Sequence, residues 1–295
     1  MNLPFSKAPG RAGTPLPAAR RMAAFTMVEI AICLAIIGIA LVGIIGVLPI
    51  GMNTQRDTRE ETIVNQDVST LLPIISQGLR GDDDLTNYIY AITNYWGYYK
   101  YDGTLLNSGA AGYTTTSGSG GSFPPYVGNF PPYYFSPVQL TNGANIVGLL
   151  STPQYIANAP YYPAVPELIN NAGEYNVFSN HMVAYVHALS GLASEKPPQD
   201  NELMVNDAFT YKLLVVNSSV AMDTNNYDAP YNQQLWKNQH ELRLSFFYPL
   251  QPNGSVGPNQ LTFRTTVAGQ LSPSYVNGQY LYFYQPRSFG MNTNQ

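Results

Sequence analysis

The chain has 295 residues, a formal charge of −4, 14 lysines and arginines, and one cysteine. That length suits one or two domains. The scattered cations form no phosphate-binding patch, which argues against nucleic acid as the main partner, and a lone cysteine excludes an intrachain disulfide. The sequence contains no P-loop, no G-x-G-x-x-G and no H-E-x-x-H, so neither enzymatic activity nor a cofactor is expected.

Residues 1–24 are rich in Pro, Gly, Ala and Arg and lack apolar periodicity, which predicts a disordered leader. Lys7, Arg11, Arg20 and Arg21 give it only positive charge, so its removal would lower the formal charge of the chain to −8. Residues 25–52 follow as FTMVEIAICLAIIGIALVGIIGVLPIGM, and between 30 and 52 there is no charged residue. At ~1.5 Å per residue such a helix measures about 35 Å, enough for a hydrocarbon core of roughly 30 Å. Arg20 and Arg21 before it favour a cytoplasmic amino-terminal side. A secretory signal would have an apolar core of only ~7–15 residues with small residues after it, whereas here Ala23 and Ala24 come first. A plain membrane anchor explains the length and the arginines. It gives no use for Glu29, an acid just inside the apolar run.

A basic leader, a small residue, Phe-Thr-x-x-Glu and an apolar helix, in that order, resemble the type IV prepilins and the pseudopilins of type II secretion. The likeness covers about the first 55 residues. It implies cutting between Ala24 and Phe25 by a prepilin peptidase on the cytoplasmic face, and N-methylation of the new amino terminus at Phe25. It implies for Glu29 a role in assembly, matched to the terminal amine of a neighbouring subunit. The partners implied are the peptidase, other pilin or pseudopilin subunits in a helical filament, an inner-membrane assembly platform and membrane lipid. One departure is Ala24, where the family usually has Gly; a small side chain fits the same pocket, so cleavage is still expected. Pilins often close a loop with a disulfide, which this chain cannot do.

Within the apolar run Ala31, Ala35 and Gly38 make a small-residue face suited to close helix packing, and Pro49 predicts a kink or a loosened turn. Residues 53–81 are expected to continue the helix outside the membrane. Their first part is polar, and Val64, Val68, Leu71, Ile75 and Leu79 then recur at helical spacing. Pro73 predicts a break in that stripe and Gly81 its end. In Asp82-Asp83-Asp84 the ligand spacing of a calcium loop is missing, so the expectation is a solvated loop, with Asp84 capping a short helix at Leu85 and no metal.

Residues 82–295 are expected to form one β-rich domain. From about 97 to 166 the crowded tyrosines, the TTTSGSGGS run and the Pro-Pro pairs predict a loop-rich insertion over the core, serving as a protein-contact surface, as irregular packing or as a sugar-binding aromatic platform. Residues 178–192 fit helix or strand. Strands are predicted at 211–216 and 280–284, and a hairpin at HELRLSFFY and QLTFRTTV, where apolar and polar residues alternate around a Pro/Asn/Gly turn. This hairpin is also similar to prepilin-like proteins of Verrucomicrobia-type bacteria. His181, His187 and His240 form no recognisable ligand set. An amphipathic helix followed by an antiparallel sheet with one apolar face has one economical packing, sheet on helix, and hence an α+β fold.

The expected function is therefore a prepilin-like structural subunit, a pseudopilin or minor pilin. It would sit in a bacterial inner membrane with a cytoplasmic leader and an exported body, and then enter a filament. The alternative is a membrane-tethered binding protein, capturing sugar or a secreted substrate, that does not polymerise.

Overall fold

The structure, a computed structural model, describes residues 25–100, 103–115, 133–135, 140–156, 177–190, 209–220, 230–251, 253–277 and 279–286. Helix α1 (Met27–Gln77) begins in one compact unit, Met1–Gln55, and ends in another, Arg56–Gln295. In the first unit every described residue is exposed, including the isoleucines, leucines and valines of the apolar run. Helix propensity alone does not favour so many β-branched residues. Where water is absent, however, the intrahelical ladder is the only way to satisfy the backbone.

The second unit is α+β. Along α1 the apolar positions recur every three or four residues, so one face goes inward: Val64, Leu71 and Ile75 are 0% exposed, with Val68 and Ile74 beside them. The expected break at Pro73 does not occur, and the helix runs through it to Gln77. Proline removes one donor. The carbonyl four residues back belongs to exposed Ser69, where water can replace that donor, while buried Leu71, Ile74 and Ile75 hold the turn in place. The helix also ends before Gly81. Gly78 takes φ +60°, its N–H donates to the Ile75 carbonyl and the Leu79 N–H to that of Ile74. That is the Schellman arrangement, which needs a left-handed residue. No side chain fits at Gly78 either, because a Cβ there would collide with the backbone of Tyr284.

A one-turn helix α2 (Leu85–Tyr88) leads into β1 (Ile89–Tyr99). Of the loop-rich insertion expected at about 97–166, the described residues include β2 (Leu105–Thr114), β3 (Tyr133–Phe135), helix α3 (Gly143–Leu150) and β4 (Tyr155–Ile156). Residues 101–102, 116–132, 136–139 and 157–166 lie outside them. Then come β5 (Val177–His187), β6 (Thr210–Ser219), α4 (Pro230–Asn238), β7 (Gln239–Leu250), β8 (Val256–Ala268), β9 (Gln270–Val276) and β10 (Gln279–Gln285). The main sheet has the order β3-β2-β1-β5-β6-β7-β8, with β4 beside β5. Six of its strands, β2, β1, β5, β6, β7 and β8, form an antiparallel run, and β3 joins β2 in parallel. Of the segment 178–192 that fitted helix or strand, residues 178–187 belong to strand β5, a central position where Met182, Ala184 and Val186 face the core, and 191–192 lie outside the described residues.

The hairpin β7–β8 pairs as its alternation predicts, with Leu244 opposite Phe263 and Phe246 opposite Leu261. Leu242, Leu244, Phe246 and Tyr248 join Val64, Leu71 and Ile75 of α1 in the main core. β9 and β10 form a separate hairpin. From it Leu281 and Phe283 press on α3 so closely that a Cβ at Gly148 would lie 2.7 Å from Leu281.

Candidate functional site

The first turn of α1 is closed by its own side chains. The backbone N–H of Thr26 donates to Glu29 Oε2 at 2.8 Å and the Thr26 hydroxyl to the same oxygen at 2.9 Å. The Glu29 N–H in turn donates to the Thr26 hydroxyl oxygen at 3.3 Å. This is a capping box, in which threonine and the glutamate three residues later satisfy each other's orphan donors. Its signature, Thr26-x-x-Glu29, is present in the sequence, although the sequence reading gave Glu29 a role in assembly only. Oε2 is committed to the cap. Phe25 is 82% exposed, and Ala24 lies outside the described residues. Among those residues α1 is the one helix long and apolar enough to cross a membrane.

A second polar constellation was not anticipated. Asp67 is on the buried face of α1 and is 0% exposed. Its Oδ1 accepts from the Ser190 N–H at 2.9 Å and the Ser190 hydroxyl at 2.6 Å. Its Oδ2 accepts from the Leu189 N–H at 3.0 Å and the Tyr211 hydroxyl at 2.9 Å. The turn after β5 therefore presents two successive N–H groups to the carboxylate, and β6 adds a phenol from below. Burial outweighs these donors and pushes the Asp67 carboxyl above the usual carboxylate range. Tyr211, fully buried, is held well above its own range by burial and by Asp67.

Beside this carboxylate opens a cleft of about 350 Å³, lined among others by Gln66, Asp67, Asp82, Asp84, Tyr88 and Ser190. Asp84 precedes α2, but its side chain makes no cap hydrogen bond, contrary to the sequence reading. The capping carboxylate is that of Asp83, and the helix it serves is α3: Oδ1 accepts from the Gly143 N–H at 2.9 Å. Asn142 completes that cap by accepting from the Asn145 N–H at 2.7 Å. Asp83 is committed across 60 residues of chain and is lost to α2. Burial, and then repulsion from Asp84 and Asp83, raises the Asp82 carboxyl. Among the described residues no group of three or more His, Cys, Asp and Glu side chains is placed to hold a metal ion.

The histidines are apart from this cleft. His181 stacks on Tyr95 with ring centres 5.4 Å apart, His187 lies 4.7 Å from Tyr90, and His240 meets Tyr284 edge-on at 5.6 Å. Burial lowers all three pKa values, that of His187 to about 4. Each packs on an aromatic ring as a neutral side chain. Compared with known proteins, the chain matches no family model, no curated protein and no solved structure.

Proposed function

We propose that the chain is a prepilin-like structural subunit, a pseudopilin or minor pilin. A prepilin peptidase cuts it between Ala24 and Phe25, and the new amino terminus at Phe25 becomes N-methylated. The subunit crosses a bacterial inner membrane once, with the leader in the cytoplasm and the body exported. An assembly platform then builds it with other subunits into a filament whose core is the apolar part of α1. The observation that carries this reading is that run itself: from Met27 onward it is helical, it is exposed along its length, it is charge-free between 30 and 52, and its single acid is Glu29. Mass spectrometry of the mature protein is expected to give an amino terminus at Phe25 with one added methyl group. An uncut chain, or a start near Met52, would overturn the reading.

A tethered binder that does not polymerise is favoured by a different observation. The capping box gives Glu29 a use inside its own helix, so an anchor alone would have reason to keep it. The two readings separate on shearing, because a filament subunit is released with fibres and a tethered binder stays with the membrane.

A further inference from the structure

Of the polar side chains buried between α1 and the sheet, Asp67 is the one whose four acceptor contacts are all filled from elsewhere in the chain. The donors lie 122 to 144 residues away, on the turn after β5 and on β6. The other buried acid of that face, Glu60, is paired with Arg56 of the same helix at 2.8 Å, a partner that would travel with it. The remaining buried positions are apolar and repetitive, and so say little about where the helix lies along the sheet. A slide of four residues, about 6 Å, would put Val68 where Val64 is and Ile75 where Leu71 is, or the reverse. Apolar side chains of similar size exchange sites at small cost. For Asp67 the same slide ends in the site of Ile63 or of Leu71, both apolar and buried (9% and 0% exposed). A carboxylate there would be desolvated and without donors.

We infer that Asp67 is a register key: it fixes the axial position of the 56–77 part of α1 on the sheet, while the apolar stripe supplies the adhesion. This role is independent of what the protein assembles with. It also accounts for a charge that burial leaves less comfortable than in water, since buried polar groups can be kept for specificity where they add little stability.

Asp67→Leu alone would strand the buried Tyr211 hydroxyl, so the informative variant is Asp67→Leu with Tyr211→Phe, which removes the fully buried donor together with its acceptor. The remaining donors, on Leu189 and Ser190, are only half-buried and line the cleft, where water can replace the carboxylate. The full chain in detergent, with Cys33→Ser, is spin-labelled through cysteines at two exposed positions, Thr70 on α1 and Arg264 on β8. Electron–electron distances are then read with and without the pair of substitutions. The wild-type key is expected to give one narrow distance. The double variant is expected to unfold at the same or a higher temperature at pH 7, while its distance broadens or splits by about one helical turn, roughly 5 Å. A single unshifted distance would overturn the inference. So would loss of cooperative unfolding, because Asp67 would then be a source of stability and not of register.

Discussion

At Glu29 two demands fall on one carboxylate: Thr26 draws one oxygen into the helix cap, and assembly would draw the group toward a neighbour's amine. Substitutions can separate them. Glutamine can still accept in a capping box but carries no charge, whereas alanine loses both the cap and the charge. If the charge matters, Glu29→Gln and Glu29→Ala should both be inserted and cleaved and both incorporate poorly. Filament yield against the cleaved membrane pool measures this. Incorporation of the glutamine variant at the wild-type level would leave capping as the role of Glu29. Asp67 teaches a related lesson about reading sequences. It falls three residues after Val64 and four before Leu71, in phase with the stripe, and an acid in phase is a visible signal. What the sequence does not show is the set of donors, because two of them are backbone N–H groups that any residues could supply. The sign of its pH dependence also follows. With its folded pKa raised, the contribution of Asp67 is fully present below the ordinary carboxylate range and is lost as pH rises through the raised value. The stability of the double variant relative to wild type should therefore improve from pH 3.5 to pH 7.

Helix α1 and the hairpin β7–β8 were legible because period and alternation are properties of single segments. Elements whose identity depends on a partner were harder to see. No strand is predicted at 270–276, where Pro273 sits between two serines, yet β9 pairs along its length with β10. β2 looks like linker, with glycines at 109 and 112, and Gly109 leaves room where Trp96 crosses from β1: a Cβ there would meet its ring at 2.6 Å. The end of α1 was placed at the wrong glycine, since Gly78 and Gly81 are equivalent in one dimension and differ only once Tyr284 is in position. Gly78→Ala should cost about 1–3 kcal/mol for the left-handed backbone alone, and more for the collision with Tyr284. Denaturant unfolding would report it, and a change within experimental error would mean that the Schellman turn does not hold the helix end.

For the unit 56–295 as a whole, the lack of any cysteine after Cys33 means that its stability rests on packing. A chain starting at Asn53 should fold in water without detergent or oxidant, because the charge-free run ends just before it. Its weakness should be acid. His187 titrates at about 4 in the fold against an ordinary value of 6.5, so the stability it confers is complete above pH 6.5 and is lost as pH falls toward 4. That shift is worth up to about 3 kcal/mol, and His181 and His240 are shifted in the same direction. Denaturant midpoints taken from pH 7 down to pH 4.5 should fall. They should fall less for His187→Phe, and a flat profile would contradict the neutral state of these rings.

The cap of α1 has one more consequence, which concerns time. Its left-handed turn lies against the backbone of Tyr284, and the core includes Leu281 and Phe283, so the earliest of the described elements is completed by the latest described strand. Helical turns form in microseconds, but contacts across two hundred residues must wait for the chain between them. Until β10 arrives, the apolar face of α1 has a sheet in the making and no lid over its end. A nascent chain must therefore carry that face uncovered through most of its synthesis, the interval in which such surfaces are most open to wrong partners.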